Sequence, residues 1–292
     1  MQQVRERAYA KINIGLDVLR RRADGYHEVK MIMQTVDIYD DLLLEKTKEP
    51  GIRIETDNEE LPTNRDNLIY RAASLLMEEK KIAEGVKITL TKRIPIAAGM
   101  AGGSSDAAAA LRGVNLLFDM GYSVEDLQHL GVKLGADIPY CIVGGTMLSE
   151  GIGEILTSLP APPDAHLVVA KPDINVSTAF VYGNLHVERL QEHPDIDGMS
   201  EAISQGNLQG ICDRMGNVLE TVTVPEYPVI DKIKELMRGA GALNALMSGS
   251  GPTVFGIFTD VEQAEAAAAA IAEDKLAGQI FVTGFQKNIR NF

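Results

Sequence analysis

The stretch Pro95-Ile96-Ala97-Ala98-Gly99-Met100-Ala101-Gly102-Gly103-Ser104-Ser105-Asp106, followed by a run of alanines, decides how the chain is read. Glycine carries no Cβ, so the backbone can bend tightly here and approach a ligand closely. The alanines predict a helix beginning near Ser104, whose unpaired N–H groups and positive dipole end would face whatever lies in the loop. Phosphate is the natural occupant. Ser104 and Ser105 add hydroxyls able to donate to phosphate or to hold a magnesium-bound water. A Walker loop is excluded, because Gly103 leads directly into Ser104 with no lysine between. A dinucleotide-binding fingerprint fails as well, lacking glycines at the fixed offsets and an acidic residue closing the next strand. A plain glycine turn with a serine N-cap accounts for one Gly and one Ser. It leaves the other glycines, the second serine and the preceding Lys92-Arg93 without a reason.

Working outward, Tyr9–Val18 and Met31–Glu45 read as strands with a turn at Asp24-Gly25 between them. Ile52–Ile54 is a short alternating strand. Leu68, Ala72, Leu75 and Leu76 recur at helical spacing behind Asp66 and Asn67, both able to cap. Val86, Ile88 and Leu90 alternate again and run into the glycine loop. Ser123 with Asp126 has the pattern of a capping box, opening a helix expected to stop at Gly135. Pro160-Ala161-Pro162-Pro163 is the linker candidate, since proline neither continues a helix nor donates in a central ladder. It divides the chain into expected domains 1–160 and 161–292. Beyond it come a strand at Leu167–Ala170, helices near 198–221 and 228–238, and a strand pair around Ser248-Gly249-Ser250-Gly251. A helix opened by Asp260, with an alanine-rich interior, and a last strand at Ile280–Phe285 follow. Mixed order with few βαβ repeats makes this an α+β chain.

The 292 residues are 45% hydrophobic and 24% charged, the composition of a packed globular protein. A net charge of −13 argues against broad nucleic-acid binding. The segment 1–30 is locally basic, carrying Arg5, Arg7, Lys11, Arg20, Arg21, Arg22 and Lys30 against Glu6, Asp17, Asp24 and Glu28, which suits a small polyanionic ligand or a solvated basic face. Cys141 and Cys212 cannot build a disulfide framework and read as small buried apolar groups. His129, His166, His186 and His193 match no metal spacing. A polar N-terminus and the lack of a long apolar run predict a soluble, cytoplasmic protein.

Three stretches together resemble the GHMP kinase family. Ile94 to Ala108 is similar to its ATP-binding motif, Ala10-Lys11-Ile12-Asn13-Ile14-Gly15-Leu16 to its first motif, and Met247-Ser248-Gly249-Ser250-Gly251-Pro252-Thr253-Val254-Phe255 to its third. Their order and spacing cover nearly the whole chain. Asp24-Gly25-Tyr26-His27-Glu28 and Gly135-Ala136-Asp137-Ile138-Pro139 are similar to the members whose acceptor is a cytidine diphosphate derivative of methylerythritol, in the non-mevalonate route to isoprenoids. Met100-Ala101 departs from the usual Leu-Gly, which leaves the fine geometry of the loop open. The resemblance implies a two-domain fold, N-terminal ribosomal protein S5 domain 2-like and C-terminal ferredoxin-like α/β sandwich, with the active site in the cleft between them.

By the same resemblance, ATP with Mg²⁺ is the co-substrate, held by Lys92, Pro95, Ile96, Ala97, Ala98, Gly99, Met100, Ala101, Gly102, Gly103, Ser104 and Ser105, with Ser105 the candidate for a magnesium contact. Asp137 is the implied base and Lys11 its partner; an ammonium beside the carboxylate keeps it ionised and stabilises charge on the transferring oxygens. Asn13, Tyr26, His27, Thr178 and Tyr182 are implied on the substrate side, with flat rings to stack on a pyrimidine. Tyr182 is taken over Phe180 from its offset to Thr178. The partners expected are small molecules, with neither nucleic acid nor membrane, and a monomer or homodimer. The rival readings are a family member acting on homoserine, mevalonate or a sugar, which should lack Gly25-Tyr26-His27, and a ligand-binding relative without turnover, which should have lost Lys11 or Asp137.

Overall fold

The structure is a computed structural model and describes residues 1–287. The chain forms two compact units that interleave along the sequence: residues 1–10, 38–96 and 101–144 make the first, and residues 11–37, 97–100 and 145 onward the second. Two long strands, β1 (Gln3–Arg21) and β2 (His27–Thr47), supply residues to both.

In the first unit, β3 (Gly51–Thr56) runs parallel to β4 (Gly85–Thr91), and α1 (Leu68–Glu79) makes the crossover between them. Asn67 caps α1 through its side chain, accepting from the Ile69 N–H at 2.8 Å. The Asp41–Thr47 half of β2 lies antiparallel on β4. α2 (Gly102–Leu117), α3 (Val124–Gly131) and α4 (Ile138–Val143) complete the unit. The Ser123–Asp126 capping box is formed, but α3 ends at Gly131, four residues before the expected stop. α2 is buried along most of its length, from Ser105 to Val114. It carries Arg112 into the interior, where the guanidinium is satisfied by Glu6 at 3.1 Å and by the carbonyls of Cys141 and Arg7 at 2.9 and 3.0 Å.

In the second unit, the Val29–Gln34 stretch of β2 pairs antiparallel with β5 (Thr146–Gly151), which pairs with β6 (Ile155–Leu159). The proline-rich stretch 160–163 carries no helix or strand and leads from β6 to β7 (His166–Lys171), the first strand of a separate sheet. Five helices follow: α5 (Thr178–Asn184), α6 (Ile196–Ser204), α7 (Leu208–Cys212), α8 (Glu220–Glu226) and α9 (Val229–Gly239). Then come β8 (Asn244–Met247), β9 (Val254–Phe258), α10 (Val261–Glu273) and β10 (Gln279–Gly284). The sheet order β10-β7-β9-β8 is antiparallel throughout. Numbered by appearance this is four-one-three-two, with a helical connection before β8 and α10 before β10, the ferredoxin-like arrangement. Alternating burial does not mark β9, whose five residues are all buried because it is a central strand.

Both cysteines are free and buried, and burial pushes the Cys212 thiol up to about 12, so it stays protonated. Among the described residues, no helix is long and apolar enough to cross a membrane.

Candidate phosphate-binding and acceptor sites

The glycine loop has an alternating backbone. Ala97, Gly99 and Ala101 are left-handed, with φ of +51°, +70° and +57°, while Ala98 and Met100 between them are not. Such alternation turns successive N–H groups toward one side and makes a concavity suited to anions. Ala98 and Met100 are buried and anchor the loop. The helix then starts at Gly102, two residues before the expected Ser104, because Ala101 provides the left-handed break and no side chain caps the end. The serines therefore lie inside the first turn. Ser105 is buried, and its hydroxyl donates to the Tyr9 carbonyl.

In the second unit, the loop residues rest on the turn between β8 and β9. The Ser248 hydroxyl donates to the Gly99 carbonyl at 3.0 Å, and the Ser248 carbonyl lies so close that a Cβ on Gly99 would be 2.3 Å from it. Gly99 is thus required both by its φ and by contact. The Lys11 N–H donates to the Met100 carbonyl at 3.2 Å, and the Asn13 N–H to the Ser248 hydroxyl at 3.3 Å. The Lys11 ammonium donates to Asn13 Oδ1 at 2.7 Å. Asn13 Nδ2 sits 3.1 Å from Met31 Sδ. Lys11 and Asn13, two positions apart in the first motif, are therefore brought against the loop of the second motif by the turn of the third. Asn217, which no pattern in the sequence pointed to, holds that turn by donating to the carbonyls of Met247 and Gly249, each at 2.8 Å.

The residues expected on the acceptor side lie in the same unit. The His27 and Tyr182 rings stand 5.2 Å apart between centroids, tilted by 39°. Phe180 is 43% exposed on α5, and Tyr26 is 59% exposed at the hairpin tip. Thr178 begins α5 and shares a 2.9 Å hydrogen bond between its hydroxyl and that of Ser250. Partial burial, followed by the positive charge of Arg21, holds the His27 pKa below the ordinary imidazole value.

In the first unit, Lys92 turns inward. Its side chain is 4% exposed, and its ammonium binds Asp40 and, at 3.0 Å, Asp106 Oδ2. Asp40 also accepts from the Arg93 and Ile94 N–H groups, at 2.5 and 2.8 Å. The cluster thus ties β2, the segment entering the glycine loop and the first turns of α2. A Cβ on Gly102 would lie 3.1 Å from Lys92 Nζ, so the ammonium sits directly under the start of the helix. Asp106 Oδ1 is buried without a hydrogen-bond partner. Burial is the main cause holding the Asp106 carboxyl well above the ordinary range; Lys92 opposes it, and the neighbouring Asp40 charge adds to it. Asp137 precedes α4 with helical φ and ψ of −80° and −15°; Pro139 lies in the first turn, and the Asp137 side chain does not cap the helix. Its carbonyl accepts from the Cys141 N–H at 3.0 Å.

Comparison with known proteins identifies the family. Residues 67–145 match the GHMP kinases N terminal domain and residues 193–276 the GHMP kinases C terminal. The 4-diphosphocytidyl-2-C-methyl-D-erythritol kinase of Lachnospira eligens is 50% identical over 97% of this chain and 98% of its own. That of Lachnoclostridium phytofermentans is 50% identical over the same shares. A crystal structure of 4-(cytidine 5'-diphospho)-2C-methyl-D-erythritol kinase superposes with a TM-score of 0.83 at 33% identity, covering 97% of this chain and 99% of that one. A homoserine kinase from Cytophaga hutchinsonii, at 21% identity and a TM-score of 0.77 over 99% and 96% of the two chains, shares the fold. With half its residues shared along almost its entire length, the chain belongs to the 4-diphosphocytidyl-2-C-methyl-D-erythritol kinases, within the GHMP kinases.

Proposed function

We propose that this chain transfers the γ-phosphoryl group of ATP to the 2-hydroxyl of 4-diphosphocytidyl-2-C-methyl-D-erythritol, giving the 2-phosphate and ADP. The observation that carries the reading is the convergence of Lys11, Asn13, the Gly99 loop and the Ser248 turn, three distant stretches meeting around a left-handed, anion-accepting backbone. The roles are those that the family resemblance implies. Loop N–H groups from Ala97 to Gly103, with the dipole of α2, hold the phosphates. Asp137 takes the proton as the hydroxyl oxygen attacks phosphorus; the new O–P bond forms as the bond to the β–γ bridging oxygen breaks, leaving the electron pair on ADP. Lys11 supplies positive charge to the transferring oxygens. Lys92 serves the nucleotide by position, since its ammonium is committed to Asp40 and Asp106 beneath Gly102.

Magnesium accompanies the nucleotide and neutralises phosphate charge when bound. Among the described residues, no group of three or more His, Cys, Asp or Glu could hold a metal ion. Ser105 gives its proton to the Tyr9 carbonyl and retains oxygen lone pairs for a metal-bound water, while Ser104, half-buried, offers a hydroxyl from the same turn. On the acceptor side, the His27–Tyr182 pair receives the cytosine, with Tyr26 as a further ring and Thr178 and Asn13 as polar contacts. The test is an ADP-release assay with Mg-ATP and diphosphocytidyl-methylerythritol beside homoserine, mevalonate and galactose. Turnover is expected with the first alone, and release with only one of the others would reassign the acceptor. Asp137→Asn should lose turnover while retaining ATP binding.

A further inference from the structure

The basic stretch that the sequence places near the N-terminus divides sharply in the folded second unit. Arg20 pairs with Glu28 at 2.5 Å, Arg22 with Asp24 at 3.0 Å and Lys30 with Asp197 at 2.7 Å. The Arg21 side chain is exposed and, among the described residues, makes no hydrogen bond or ion pair. Its position is set by the hairpin. The Arg22 N–H donates to the Tyr26 carbonyl at 2.7 Å, and Arg20 meets Glu28; these two pairs bracket Arg21 and His27 as direct cross-strand partners, the last residue of β1 and the first of β2. Residues so placed have Cβ atoms about 5 Å apart on the same face. Arg21 therefore shares the face on which His27 stands against Tyr182. At that distance its charge adds to burial in lowering the His27 pKa.

We propose that Arg21 binds the diphosphate of the acceptor, so that the ring pair reads the base and the guanidinium reads the anion joined to it through the ribose. The inference rests on the acceptor being a cytidine diphosphate derivative, as argued above. Arg is suited to this because its planar fork of donors matches phosphate oxygens, and because it is charged at every working pH. In a protein of net charge −13, the neighbouring acids are already matched to other cations. The positive charge of Arg21 is the one left over beside the rings. Arg21 is a specificity residue for the acceptor and takes no part in phosphoryl transfer.

The test is calorimetric titration of the wild type, Arg21→Met and Arg21→Lys with cytidine 5′-diphosphate and with cytidine, the ATP site being filled by a non-hydrolysable ATP analogue. Arg21→Met should weaken cytidine diphosphate at least tenfold and leave cytidine unchanged; Arg21→Lys should fall between. In turnover, the acceptor KM should rise with kcat and the ATP KM held. If the wild type prefers the diphosphate to cytidine and Arg21→Met keeps that preference in full, the Arg21 assignment is overturned while the acceptor stands. A wild type that binds neither ligand would instead remove the acceptor reading, and Arg21's role with it.

Discussion

Replacing Lys92 by methionine removes one ammonium from beneath α2 and leaves two carboxyl groups facing each other in the interior. The three side chains are 4%, 0% and 5% exposed for Lys92, Asp40 and Asp106, so solvent does little to screen them. Breaking a buried ion pair by removing one partner costs about 3–5 kcal/mol, against a total stability on the order of 5–15 kcal/mol for a globular protein. At about 2–4 °C per kcal/mol for a large domain, Lys92→Met should melt roughly 6–20 °C below wild type. The loss should be local first, with hydrogen exchange accelerating in peptides spanning 92–106, which carry the loop and the first turn of the helix. A melting temperature within a degree or two of wild type would refute the argument.

The companion variants sharpen it. One ammonium faces two buried carboxyl groups, and burial, opposed by Lys92 and reinforced by Asp40, raises the Asp106 carboxyl well above the ordinary range. Asp106→Asn keeps a donor and an acceptor of the same shape, so it should cost under about 1 kcal/mol at pH 7. Asp40→Asn points an amide donor at the Lys92 ammonium and should approach the cost of Lys92→Met. Combining Lys92→Met with Asp40→Asn, which removes the carboxylate left unpaired, should restore more than about 1 kcal/mol over Lys92→Met alone, a coupling expected of direct neighbours. The pH sign follows from the raised folded value. Asp106 contributes stability in full below its unfolded pKa of about 3.9, and that contribution drains away as pH rises through the folded value. Wild type should therefore lose ground to Asp106→Asn between about pH 4 and neutrality in parallel urea titrations, and a flat difference would place no extra proton on Asp106.

Gly99→Ala should cost more than about 2 kcal/mol and raise the ATP KM, because it adds left-handed strain to a Cβ lying 2.3 Å from the Ser248 carbonyl. Ala101→Gly relieves the same strain at φ +57° and should stabilise the protein by up to about 1 kcal/mol in urea unfolding, less whatever the unfolded chain gains in freedom. Ser248→Ala strands the Gly99 carbonyl and the Asn13 N–H, so a loss of about 1–3 kcal/mol is expected, read by thermal melting. In an NMR titration the His27 pKa should lie below about 6.5 in the wild type and move up in Arg21→Met, since one of its two depressing causes is gone; an unchanged value would separate the two side chains.

What could be read in advance was whatever a short window of sequence encodes. The Ser123–Asp126 capping box, the Asn67 and Asp260 caps and the turn at Asp24-Gly25 are interactions between residues a few positions apart, and all form where expected. β5 and β6 were missed because Thr146–Gly151 mixes polar and apolar residues with no clear period, its register being imposed by β2. α5 was missed because seven residues with one buried side chain carry no helical stripe. The buried lysine was beyond any such window. Asp40 reads as an ordinary outward residue of an alternating strand, and nothing near Lys92 announces a partner 52 positions earlier. Ala101 shows the opposite case, in which a local signal was present and its meaning was not. An alanine at a position where the GHMP pattern places glycine leaves the fine geometry of the loop open when read from sequence alone. The structure shows that it is the left-handed residue at which α2 starts. A phosphate loop needs that backbone conformation rather than a glycine as such. Where the surrounding packing is strong enough to hold an alanine there, through Met100 and the Ser105–Tyr9 bond, the motif keeps its geometry while losing its signature.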